Sequence, residues 1–90
     1  MELKTIRNQI DAIDENLVAL FVERMALSSH VAEYKKANHL PIYVPAREEE
    51  ILNTISLKAG SDMASYAREL YIKIFELSRK YQGECNLPNG

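Results

Sequence analysis

Residues 3–34 read LKTIRNQIDAIDENLVALFVERMALSSHVAEY, and this stretch decides the fold. Apolar side chains recur in it at alternating steps of three and four residues, the spacing of one face of a long α-helix. We call this row the seam; it comprises Leu3, Ile6, Ile10, Ile13, Leu17, Leu20, Leu27, Val31 and Tyr34. Asn38, His39 and Pro41 interrupt the pattern. The sequence therefore predicts a first helix over about residues 3–36.

The predicted length of this helix makes a second chain necessary. It would run about 50 Å, whereas a compact globule of ninety residues is roughly 30 Å across. The chain is 47% hydrophobic and 27% charged, as in a single globular domain. A domain of this size buries a smaller fraction of its surface on folding than a larger domain does, so its stability as a monomer is marginal. We therefore expect the seam to be covered by another copy.

Two shorter helices are predicted after the loop. Pro45 suits the first turn of a second helix over about residues 45–58, and the acidic run 48–50 suits the positive end of its dipole. Gly60 then ends this helix.

A third helix, over about residues 62–82, is capped by Ser61 or Asp62 and ends before Gly83. Its apolar residues again recur at steps of four and three. The expected architecture is all-α, with three helices in one domain. The domain covers residues 1–82, and a flexible tail covers residues 83–90.

Composition and charge exclude several functional classes. A net charge of −2 without a strongly basic face gives little basis for binding nucleic acid. No apolar run approaches the ~18 residues of a membrane span, and the first residues do not resemble a signal peptide. Cys85 stands alone in the tail, which excludes a disulfide framework and favours the cytoplasm.

One seam position carries a charge. Stepping by sevens from Leu3 leads to Arg24, where an apolar side chain belongs. Because burying an unpaired charge costs several kcal/mol, Arg24 needs an anionic partner, either a carboxylate from another helix or a bound ligand. Lys35 lies about 16 Å farther along the same face, so both could lean toward one small molecule. Arg7, about 25 Å from Arg24, could join them only from a second chain; otherwise it and Lys35 are solvated flanks of the seam.

Other polar residues are candidates for the same site. Ser78 and Gln82 are one turn apart and offer neutral donors. Arg47 and Glu48 stand at a helix start with free backbone N–H groups, which suits a small anion, although Glu48 could merely complement the helix dipole. We find no glycine-rich phosphate loop, no metal-ligand set and no activated nucleophile. Such a site would bind a dianion and support unimolecular chemistry without a cofactor or metal.

These residues, in this order, resemble the all-helical chorismate mutase family. Residues 6–14, IRNQIDAID, look like its opening motif, and residues 41–48, PIYVPARE, look like its loop and second-helix signature. Arg24, Lys35 and the Ser78/Gln82 pair follow at the family's spacing. The resemblance implies an intertwined homodimer that rearranges chorismate to prephenate, without a cofactor, in phenylalanine and tyrosine biosynthesis.

The resemblance also implies a role for each polar residue. Arg24 and Arg7 of the partner chain would clamp the two substrate carboxylates, and Lys35 and Gln82 would hydrogen-bond the ether oxygen, where negative charge develops. Glu48 would accept a hydrogen bond from the ring hydroxyl. Further contacts to the ring-side carboxylate would come from Arg47 and Ser78.

One departure from the family and two alternatives remain. Val44 stands where the family often has an aspartate; this is harmless if the position acts through its backbone N–H and weakens substrate binding if the side chain matters. An isochorismate–pyruvate lyase would use a similar cage on a similar dianion. A non-catalytic helical dimerisation module would use the polar seam residues only for ion pairs. The absence of an attached dehydratase, dehydrogenase or synthase domain favours a free-standing enzyme.

Overall fold

The computed structural model describes residues 2–85, which form three α-helices. Helix α1 spans Leu3–Ala37, α2 spans Pro45–Ala59, and α3 spans Ala64–Cys85. The prediction of an all-α chain with three helices is confirmed, and the first helix ends one residue later than expected.

The end of α1 is set by a turn around His39. Its backbone lies in the left-handed region at φ 55°, and its N–H donates to the carbonyl of Lys36 at 3.3 Å. The next N–H, of Leu40, donates to the carbonyl of Lys35 at 2.8 Å. These two bonds form a Schellman motif. They stop the helix and turn the chain back toward Lys35.

Helix α2 begins and ends as its sequence signals predict. Pro45 occupies the first turn after the N-cap Val44, whose carbonyl accepts from the N–H of Glu48 at 3.3 Å. Gly60 ends the helix at φ 84°, a conformation that favours glycine. The last helical residue is Ala59, one beyond the predicted end.

Both predicted ends of α3 need correction. The helix begins at Ala64 rather than residue 62, because residues 61–63 form a turn in which the N–H groups of Met63 and Ala64 both donate to the carbonyl of Gly60. No side-chain hydrogen bond from residues 61 or 62 caps the helix in the described part of the chain. At the other end, Gly83 keeps a helical backbone and α3 continues to Cys85. A helical glycine costs only about 1 kcal/mol, too little to end the helix here. The rest of the predicted tail, residues 86–90, lies outside the described residues.

Helix α3 packs against both other helices. Among the residues whose burial the structure describes, the apolar core at this junction is small, with one buried side chain from each helix: Ala32, Leu52 and Phe75. Three polar side chains are buried beside it: Ser28, Ser78 and Gln82. The protein is elongated, with extents of 54 × 30 × 15 Å and a radius of gyration of 16.3 Å, compared with about 12 Å for a compact chain of this length.

The N-terminal half of α1 projects from this junction with its seam uncovered. From Leu3 to Leu20, every seam side chain is exposed, and the exposed fraction ranges from 38% at Ile6 to 63% at Leu20. The single chain therefore leaves a continuous apolar row in contact with water. No described helix has an apolar stretch long enough to cross a membrane.

Candidate active site

A cavity of about 310 Å³ opens where α1, α2, α3 and the loop before α2 meet. Apolar side chains of Leu27, Val31 and Ile51 form part of its wall. Seven of the eight site residues predicted from the sequence line it: Arg24, Lys35, Val44, Arg47, Glu48, Ser78 and Gln82. The fold thus brings together residues that lie far apart along the chain.

Arg24 enters the cavity without a carboxylate partner in the described part of the chain. Its Nη1 donates to Ser78 Oγ at 3.4 Å, and its guanidinium carbon lies 5.8 Å from the ring centroids of both Tyr71 and Phe75. Glu76 of α3 forms an ion pair with Lys73 on its own helix. The seam charge is therefore held by a hydroxyl and two aromatic faces, and its positive charge remains available to an anion.

Lys35 reaches the cavity from the last turn of α1. Its Nζ donates to the backbone carbonyl of Ile42 at 2.8 Å, a contact made possible by the chain reversal at His39. An ammonium group has three N–H donors. The remaining donors of Lys35 are available to a ligand in the cavity.

Gln82 has a buried amide oxygen with no protein partner. The residue is 7% exposed, and its Oε1 makes no hydrogen bond in the described part of the chain. Leaving a buried polar atom unpaired costs about 1–3 kcal/mol. Because rotation of the terminal amide exchanges oxygen and NH₂, Gln82 can offer either an acceptor or a donor to a bound molecule.

Glu48 is joined to a residue that the sequence analysis missed. Arg79 Nη1 donates to Glu48 Oε2 in an ion pair between α3 and α2, and the guanidinium carbon lies 4.6 Å from the centroid of the Tyr43 ring. The hydrogen bond to Glu48 raises the pKa of Arg79 above its ordinary value, against the opposing effect of burial. The position of Arg79, directly after Ser78, was the available signal, but the sequence does not show that its side chain faces α2.

A second missed residue supports Ser78. Ser28 is 8% exposed and lines the cavity, and its Oγ donates to Ser78 Oγ at 3.5 Å. The available signal was its position: Ser28 directly follows the seam residue Leu27 and lies seven residues before Lys35, on the same face of α1.

Arg47 occupies the rim of the cavity. Its side chain is 64% exposed, and Nη1 donates to Glu50 Oε1 at 2.9 Å. An exposed pair of this kind contributes little to stability, so Arg47 can turn toward a ligand at small cost.

The charged side chains of the lining are mostly basic. Four basic side chains surround the cavity, and Glu48 supplies the one carboxylate among the described lining residues. The basic residues are Arg24, Lys35, Arg47 and Arg79. A ligand with two negative charges would offset most of the net positive charge of this lining. Within residues 2–85, no group of three histidine, cysteine or carboxylate side chains is placed to hold a metal ion.

Arg7, the eighth predicted residue, lies outside the cavity. It is exposed on the projecting part of α1, about 25 Å along the helix axis from Arg24. Within one chain it therefore cannot reach a ligand held by Arg24.

The fold and the site together define a small all-helical domain with a cationic ligand cavity. The chain belongs to the chorismate mutase type II family, whose sequence profile matches residues 6–83.

Several curated proteins are similar to part of this chain. A bifunctional chorismate mutase/prephenate dehydratase from Aquifex aeolicus is 46% identical over 54 residues, covering 60% of this chain and 15% of the relative. A T-protein from Haemophilus influenzae is 42% identical over 57 residues, covering 63% and 15%. A chorismate mutase from Methanocaldococcus jannaschii is 41% identical over 54 residues, covering 60% and 54%. The chain thus spans about 15% of the length of the first two relatives. No solved structure shows a significant match.

Proposed function

We propose that this protein is a chorismate mutase that converts chorismate to prephenate without a cofactor. The observation that carries the proposal is the cavity. Seven of the residues predicted from the sequence to contact the substrate line it, and its net charge is positive. Family membership and the names of the Aquifex and Methanocaldococcus relatives support the same reaction.

The reaction is unimolecular, so the residues need to fold the substrate and stabilise its charge. Chorismate carries two carboxylates, a ring hydroxyl and an ether oxygen. Arg24 and Arg7 of a partner chain would hold carboxylates, because guanidinium forks bind them in two-point contacts. Arg47 and Ser78 would complete the ring-side contacts. Holding both ends of the molecule restricts it to the chair-like conformer that reacts.

Charge development at the ether oxygen explains Lys35 and Gln82. As the C–O bond breaks, negative charge grows on that oxygen, and donors already aimed at it stabilise the transition state more than the ground state. Lys35 retains donors for this purpose, and the amide oxygen of Gln82 has no competing partner in the described residues, so the terminal amide is free to turn its NH₂ toward the ligand. Glu48 would accept a hydrogen bond from the ring hydroxyl, and Val44, which also lines the cavity, would act through its backbone N–H.

The functional unit in this proposal is a homodimer. The bare seam of α1 supplies an apolar surface that a second α1 can cover, and Arg7 needs a second chain to reach a site. An antiparallel partner would place Arg7 at the other chain's Arg24.

A direct assay tests the proposed reaction. Purified protein should deplete chorismate and form prephenate, and Arg24→Ala and Gln82→Ala should each abolish measurable turnover while the circular dichroism spectrum stays helical. Arg68→Ala, which alters α3 away from the cavity, is the control and should keep wild-type turnover. Faster formation of salicylate from isochorismate would instead establish the lyase.

Ligand binding separates the enzyme from a non-catalytic dimerisation module. A dianionic transition-state mimic at about 100 times its Kd should stabilise the folded protein by roughly 2.7 kcal/mol, visible as a raised Tm. A Tm that does not change with the mimic, together with no turnover, would establish the dimerisation module.

A further inference from the structure

We infer that Arg79 is a positioning residue: it holds the Glu48 carboxylate in place to accept a hydrogen bond from the ring hydroxyl of the substrate. The inference rests on the proposed function and extends it to a residue outside the set predicted from the sequence. Arg79 acts through Glu48 and need not touch the reacting atoms.

The geometry fixes the guanidinium of Arg79 from two sides. On one side it donates to Glu48 Oε2 in the first turns of α2, and on the other it lies over the Tyr43 ring, 4.6 Å from the centroid. The side chains of Arg79 and Glu48 are 30% and 22% exposed. Arg79 therefore ties three segments together at one end of the cavity: α3, α2 and the loop before α2.

Glu48 has a particular need for such a partner. It is the carboxylate of the described cavity lining, and its immediate neighbour Arg47 is engaged with Glu50. A glutamate side chain has several rotatable bonds, and ordering it costs free energy. Arg79 engages Oε2, whereas Oε1 makes no hydrogen bond in the described part of the chain. The ion pair thus orders the side chain and leaves one oxygen for a ligand hydroxyl.

The chain contains a matched control for a purely structural role. Arg68 also lies on α3 and also pairs with α2, through Nη2 and Glu49 Oε1 at 3.5 Å and through Nη1 and Ser56 Oγ at 3.2 Å. It does not line the cavity. Replacing Arg68 removes a comparable link between the two helices without altering Glu48.

A kinetic double-mutant cycle tests the inference in the full chain with chorismate. The variants are Arg79→Met, Glu48→Gln, the double variant, and Arg68→Met as control, each checked for helical content and Tm. We expect Arg79→Met to lower kcat/KM roughly tenfold, and the same change to have almost no effect when Glu48 is already glutamine, because coupled residues are non-additive. Arg68→Met should leave kcat/KM unchanged.

A second variant guards against loss of folding. Arg79→Lys keeps the positive charge and can still reach Glu48, but it lacks the planar group that stacks on Tyr43. We expect it to fold and to lose less activity than Arg79→Met.

The outcomes distinguish the inference from the function on which it rests. Multiplicative losses in the double variant, an unchanged Arg79→Met protein, or an equal loss in Arg68→Met would each overturn the role of Arg79 while chorismate turnover by the wild type upholds the proposed function. A wild-type chain that does not convert chorismate refutes both.

Discussion

Mixing two inactive variants tests whether each site takes Arg7 from a partner chain. The perturbations are Arg7→Ala in one chain and Arg24→Ala in the other. In the proposed site, each substitution removes a guanidinium that holds a substrate carboxylate, which should cost at least about 3 kcal/mol, or more than a hundredfold in rate. Either homodimer alone should therefore be nearly inactive.

The geometry sets how much activity the mixture recovers. Arg24 lines the cavity of its own chain, and Arg7 lies about 25 Å away along the same helix. In a heterodimer with two-fold symmetry, one site receives both altered residues and the other receives both native ones. Random pairing at equal amounts makes half of the dimers mixed, so about one quarter of all sites should be intact.

The assay measures chorismate turnover after the two variants are unfolded together, refolded, and compared with each variant refolded alone. Heterodimers purified through two different affinity tags should show about half of the wild-type activity per dimer. Recovery of no activity in dimers verified to be mixed would refute the shared site. Wild-type activity in Arg7→Ala alone would remove Arg7 from it, and a single-chain mass by light scattering at micromolar concentration would refute the dimer itself.

Three further predictions concern stability and assembly. Leu17 lies on the seam and is 56% exposed in the single chain; Leu17→Ala should destabilise the dimer by about 2–3 kcal/mol per chain and raise its dissociation constant more than a thousandfold in sedimentation experiments. Leu57→Ala, at an 85% exposed position off the seam, is the control. Equal effects of the two substitutions would contradict burial of the seam. His39→Gly should raise the free energy of unfolding by about 0.5–1 kcal/mol at fixed protein concentration, because glycine relieves the left-handed backbone; a lower midpoint in urea would contradict this. Gly83→Ala should raise it by about 0.5 kcal/mol, since an added Cβ meets nothing within 4 Å and the backbone is helical; an unchanged or lower urea midpoint would count against this.

The fold was predictable because its signals are local. The seam specifies a long α1 through the spacing of its own residues, and Pro45 and Gly60 mark the ends of α2 in ways that depend on their own backbones. Gly83 shows the limit of this reasoning. A glycine ends a helix when its backbone turns left-handed, as at Gly60, and the residue type alone does not say whether it will.

The residues that line the site were largely predictable from the sequence, but the contacts that join one helix to another were not. Arg24 stood out as a charge on an apolar face, and Lys35 as its neighbour along the same side of α1. The pairing of Arg79 with Glu48 depends on how α3 is set against α2, and the stacking on Tyr43 depends on the path of the loop. An arginine on a helix and a tyrosine in a loop carry no periodic signal of those contacts.

In the proposed homodimer, the uncovered seam of α1 makes catalysis depend on the protein concentration. If a complete site needs two chains, then at concentrations well below the dissociation constant of the dimer, a tenfold dilution lowers the concentration of complete sites about a hundredfold. Specific activity would then fall in proportion to the protein concentration. A seam that lowers the dissociation constant of the dimer would maintain the specific activity at lower concentrations. Substitutions along this row could therefore alter metabolic flux at low expression without touching any residue that binds substrate.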